Sequence, residues 1–108
     1  MKYGLENSTI AKIRSVLARY RQVEKAILYG SRARGNYKTG SDIDLTLLGS
    51  HDLDLKVLFR IMDDIDDLLL PYTFDISLLQ TITDQDVLDH IKRVGTVFYE
   101  KTPENHVA

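Results

Sequence analysis

Gly30 and Ser31, ten intervening residues, and then Asp42 and Asp44 flanking Ile43 form the part of this 108-residue chain best suited to chemistry. Gly30 ends an apolar stretch, so backbone can approach a phosphate where a Cβ would clash. Ser31 adds a hydroxyl donor, and amides that open a following helical turn favour an anion. Arg32 and Arg34 can reach phosphate oxygens with bidentate geometry. Asp42 and Asp44, two apart on a strand, share one face. Asp75, between Phe74 and Ile76, joins that face if its own strand pairs alongside. Three carboxylates this close repel one another unless a cation relieves them. Mg²⁺ does so, accepting oxygen ligands from carboxylates and from substrate phosphates. Two ions about 4 Å apart can stabilise both the attacking and the leaving oxygen of an in-line phosphoryl displacement.

These residues need elements to hold them. Asn7 or Ser8 can cap a first helix in which Ile10, Ile13, Leu17 and Tyr20 recur at helical spacing. Ala26 to Tyr29 predicts a short strand, and the polar, glycine-containing segment Arg32 to Ser41 a loop with one helical turn. Asp42 to Leu48 alternates as a second strand, with Ile43, Leu45 and Leu47 opposite Asp42, Asp44 and Thr46. A long amphipathic helix is expected over about Leu53 to Leu70, burying Leu58, Ile61, Met62, Ile65, Leu68 and Leu69 and stopped by Pro71. Thr73 to Leu79 predicts a third strand. Thr83 and Asp86 have capping-box spacing for a last helix closed by Gly95, and Thr96 to Tyr99 suits a final strand. The order predicts an α/β (α+β) fold, a small mixed sheet with helices packed on one face.

Composition narrows the function. There are no cysteines, which removes disulfides, zinc–thiolate sites and thiol nucleophiles. No apolar run approaches the ~18 residues of a membrane span, and the N-terminus lacks a signal-peptide pattern, so a cytoplasmic protein without membrane association is expected. Residues 1–41 carry 9 Lys/Arg against 2 Asp/Glu, while residues 42–108 carry 5 against 14. That division suits an anionic ligand meeting a cation-binding carboxylate cluster. The net charge of −2 argues against direct nucleic-acid binding. The absence of a Gly-Lys-Ser/Thr after a glycine loop excludes a P-loop kinase.

The run Ile27-Leu28-Tyr29-Gly30-Ser31-Arg32-Ala33-Arg34-Gly35, continuing to Ser41-Asp42-Ile43-Asp44-Leu45, resembles the signature of the polymerase-beta-like nucleotidyltransferase superfamily. Among its branches the chain is similar to the minimal nucleotidyltransferase (MNT) proteins, over roughly residues 8–100. Chain length and pattern predict one domain over residues 1–101, which the resemblance makes the catalytic one, followed by a flexible tail over 102–108. The resemblance implies that Gly30 and Ser31 hold the triphosphate, that Asp42 and Asp44 bind two Mg²⁺ ions, and that Asp75 shares one ion and helps activate the acceptor hydroxyl. It further implies ATP or another NTP as substrate and a HEPN-domain toxin as partner, silenced by AMP transfer to a tyrosine. A chain this small, without further domains to grip an acceptor, suits presentation of that acceptor by a partner.

The competing class is a non-catalytic binding module that neutralises a partner by steric contact. Transfer to an aminoglycoside-like small molecule is weaker, because no second domain exists to bind one. The remaining residues have ordinary readings. Asp63, Asp64, Asp66 and Asp67 read as a solvated helix face or as a docking patch for a basic partner. His51, His90 and His106 read as surface residues, Lys38 as loop solvation, and Tyr29 and Phe74 as core.

Overall fold

A computed structural model describes residues 1–102. Its elements are α1 (Asn7–Ala18), β1 (Val23–Tyr29), α2 (Ser31–Arg34), β2 (Ile43–Gly49), α3 (Leu55–Asp66), β3 (Phe74–Leu78), α4 (Gln85–Val94) and β4 (Thr96–Glu100), with a 3₁₀ turn at Leu79–Thr81. The expected tail, apart from Thr102, lies outside the described residues, as does His106.

The four strands form one mixed sheet in the order β3-β2-β1-β4. β1 is antiparallel to β2 and to β4, whereas β2 and β3 run parallel, joined through α3. Alternation divides the sheet into two faces. Ala26, Leu28, Ile43, Leu45, Leu47, Ile76, Leu78 and Phe98 are buried in one core with Ile10, Ile13, Val16 and Leu17 of α1 and Val57, Leu58, Ile61 and Ile65 of α3. Residues of the other parity include Ile27, Tyr29, Asp44, Thr46, Asp75 and Ser77. α4 meets this second face near Ile27, Tyr29 and Gly30. Leu45 lies fully buried on the strand that carries Asp44. Leu45→Ala should therefore cost about 2–5 kcal/mol of stability, read from urea denaturation.

The element ends differ from the sequence expectation for local reasons. Glu6, not Asn7 or Ser8, occupies the N-cap of α1, and it makes no side-chain cap bond. α3 is shorter than expected at both ends. Asp54 caps it by accepting from the Val57 amide at 3.0 Å, so it cannot begin at Leu53. It stops well before Pro71, in a run of aspartates whose charge opposes the helix dipole. Leu69 then takes a left-handed φ of 54° and is 89% exposed, so it leaves the expected buried stripe. Asp84 caps α4 by accepting from the Asp86 amide at 2.9 Å, in place of the expected Thr83 box.

Candidate active site

The register of β1 and β2 explains the ten-residue spacer. Tyr29 lies opposite Asp44, so Gly30, one residue past the strand end, sits against the Asp44 side chain. Gly30 has φ 75° and ψ −159°, a region open only to glycine. A Cβ placed there would lie 2.2 Å from Asp44 Oδ2. The motif's glycine and its second aspartate are thus one packing unit. The spacer itself forms α2, closed by Gly35 at φ 88°, and a loop returning to Ser41.

The parallel register sets Asp44 directly beside Asp75, and Thr46 beside Ser77. The adjacency expected of Asp75 is therefore present. Below the carboxylates, the Ser77 hydroxyl donates to Thr46 Oγ1 at 3.0 Å, which satisfies the polar groups at the fully buried Thr46. Asp42 stands just before β2, exposed, and its carboxylate accepts from the Thr73 hydroxyl across the β2–β3 junction.

Burial holds the Asp44 carboxyl above its ordinary value, and the charges of Asp75 and Asp42 add to the effect. Burial likewise raises the Tyr29 hydroxyl, again with Asp75 and Asp44 contributing. Among the described residues no three acidic or imidazole groups stand close enough to form a complete metal cage. The donor set still fits Mg²⁺, which takes one or two carboxylates and completes its shell with water and substrate phosphates. Mutual repulsion at Asp44 is the strain such a cation relieves.

Three sequence readings require correction. Arg32, expected at the phosphate, is only 3% exposed. Its Nε and Nη2 donate to the Ser41 carbonyl at 3.1 and 2.9 Å, and Nη1 to the Tyr3 carbonyl at 2.9 Å. The guanidinium also lies over the rings of Tyr37 and Tyr72, at 5.5 and 5.2 Å. It therefore ties the spacer loop to the turn at Tyr3-Gly4, where both φ values are positive. Lysine lacks the planar fork. Arg32→Lys should cost about 1–3 kcal/mol in thermal or urea unfolding, because half-buried carbonyls lose their donors. Arg34 is exposed at the end of α2, with its charge in solvent.

Tyr29, read as core, is half-buried on the carboxylate face. Its ring meets that of His90 edge-on, with centroids 6.2 Å apart. His90, read as surface, is half-buried and accepts the Gly30 amide at Nε2, 3.1 Å away. Nothing at 60 residues' separation signals this contact; only the docking of α4 creates it. The four-aspartate run is also divided, since Asp64 accepts from the Tyr20 hydroxyl and pairs with Arg19 at 3.8 Å. Asp63, Asp66 and Asp67 remain exposed. A separate concavity of about 430 Å³ opens among Ile27, Leu79, Leu88, Ile91 and Val97, away from the carboxylates.

The site thus consists of a glycine–serine turn packed on one strand aspartate, beside a parallel strand that supplies another. The family described as polymerase beta, nucleotidyltransferase matches residues 11–104. This chain belongs to that family. A Methanocaldococcus jannaschii protein, named provisionally as a protein adenylyltransferase, is 39% identical over 46 residues. That match covers 42% of this chain and 46% of the relative, so the aligned part spans under half the relative's length. Among solved structures, a chain of a toxin–antitoxin crystallised with AMP-PNP gives a TM-score of 0.66 at 18% identity, covering 91% of this chain and 76% of that one. A chain of a complex between a tri-AMPylated Shewanella oneidensis HEPN toxin and an MNT antitoxin gives 0.65 at 16%, covering 90% and 74%. A nucleotidyltransferase-named protein of Sulfolobus solfataricus gives 0.52 at 24%, covering 91% and 92%. At these identities the structural matches show a shared fold.

Proposed function

We propose that the chain is an antitoxin that transfers AMP from ATP to a tyrosine hydroxyl of a HEPN-domain toxin. The observation that carries the transfer chemistry is the alignment of Asp44 with Asp75 beside the Gly30–Ser31 turn. The fold shared with the chain from the AMPylated HEPN–MNT complex supports the choice of partner and modification, as does the name of the M. jannaschii relative.

In this reading Gly30 and Ser31 receive the triphosphate, and Arg34, free in solvent, screens its outer charge. Asp42, Asp44 and Asp75 would hold Mg²⁺, in two ions, which neutralises charge developing on the phosphate oxygens. Asp75, exposed at the edge of the carboxylate face, accepts the acceptor proton. The acceptor oxygen attacks the α-phosphorus as the bond from that phosphorus to the bridging oxygen breaks. Pyrophosphate leaves with that electron pair. Asp42 and Asp75 are both exposed, which suits an acceptor delivered on a second protein.

The test is incubation with α-labelled ATP, Mg²⁺ and the protein encoded by the neighbouring gene, which this reading expects to be a HEPN toxin. Label should appear on a HEPN tyrosine and disappear with Asp44→Asn. A tight complex that never carries label would instead identify a steric binding module.

A further inference from the structure

We infer, resting on the nucleotide-site reading above, that His90 is a positioning residue that latches α4 onto the phosphate-binding turn. Gly30 leaves the β1–β2 ladder in a glycine-only conformation, so its amide has no strand partner. An amide left unpaired in a half-buried site costs free energy and lets the turn sample other geometries. His90 removes both penalties by accepting that amide at Nε2, 3.1 Å away. Accepting there requires that the ring carry its proton on Nδ1. The edge-on contact with Tyr29 limits the ring's rotation, so the acceptor atom stays aimed at Gly30.

The consequence concerns substrate more than fold. The Gly30 conformation directs the start of Ser31 and keeps room for the Asp44 carboxylate. A latch on the Gly30 amide therefore presents the Ser31 hydroxyl and the metal-binding carboxylate together. His90 itself touches neither reacting atom; it acts through the turn.

The experiment uses the full chain with Mg²⁺ and a fluorescent ATP analogue, comparing wild type with His90→Gln, His90→Asn and His90→Ala. Glutamine places its terminal amide oxygen where Nε2 lies, whereas asparagine reaches only the Nδ1 position. One hydrogen bond contributes about 0.5–1.5 kcal/mol, and 1.4 kcal/mol corresponds to tenfold. Alanine and asparagine should therefore weaken nucleotide binding roughly three- to tenfold, with glutamine close to wild type. Hydrogen exchange of the Gly30 amide, measured without nucleotide, should accelerate in the same two variants. Equal affinities across all four proteins would overturn the inference, as would glutamine no better than alanine. Tighter binding by alanine would also overturn it, because His90 would then be competing with phosphate for the amide. If the wild type binds no nucleotide, the nucleotide-site reading fails first. The Gly30 exchange rates then decide the latch on their own, protected in wild type and glutamine or unprotected in all.

Discussion

Asp44→Asn should lower nucleotidyl transfer roughly 10³-fold while leaving the protein folded. On the proposed mechanism, losing one carboxylate ligand would remove several kcal/mol of charge stabilisation from the phosphoryl displacement, and 1.36 kcal/mol is a factor of ten in rate. Asparagine is nearly isosteric, so the space beside Gly30 stays filled. The effect on stability should carry the opposite sign. Burial, together with Asp75 and Asp42, holds the folded-state Asp44 carboxyl above its unfolded value. Folding then favours the protonated form, so stability falls as pH rises from the unfolded value through the folded one. At neutral pH the metal-free wild type bears that cost and Asp44→Asn does not. Urea midpoints measured in a chelator should favour the variant at neutral pH and converge in acid. A variant destabilised equally at every pH would show that Asp44 is a packing residue.

The second large effect is expected of Gly30→Ala, at least 10²-fold on activity. Alanine pays twice at this position. A φ of 75° with ψ −159° is strained for any residue with a Cβ, at about 1–3 kcal/mol. The added Cβ would also meet Asp44 Oδ2 at 2.2 Å. The carboxylate can relieve that contact by rotating, but it then leaves the position proposed to hold Mg²⁺. Gly30→Ala and Asp44→Asn consequently act through one side chain. The double variant should lose less than the product of the two single losses, a departure from additivity, because the clash with the Asp44 carboxylate is counted in both. Multiplying losses in steady-state assays would mean that Gly30 and Asp44 serve separate steps.

Much of the fold could be read from alternation and helical spacing, because Leu45, Ile61 and Ile65 are buried wherever the periods say they should be. The carboxylate site was legible for a related reason. Asp44 lies on β2 and Asp42 stands just before it, and the extended period of two sets them on one side without knowledge of the tertiary fold. Asp75 needed one further step, strand adjacency, which the β2–α3–β3 connection supplies. Arg32 was misread because composition reports a charge but not its direction. The same guanidinium serves phosphate or backbone carbonyls equally well, and here Ser41 and Tyr3 hold it. His90 was invisible because its partner is a backbone amide, which leaves no mark in side-chain spacing. Helix ends were misplaced where short-range caps at Asp54 and Asp84 overrode the longer hydrophobic pattern.

The order in which strands enter the sheet has a consequence for the chain as it is made. β1 and β2 are close in sequence, and β3 follows after a single helix, so the paired aspartates can assemble from the first 78 residues. β4 pairs with β1 across some 70 residues, and α4 arrives only with it. Contacts so far apart form late. On the ribosome, therefore, the carboxylates should come together before α4 reaches the Gly30 turn, and the ability to hold a nucleotide should mature only when the last strand closes the sheet.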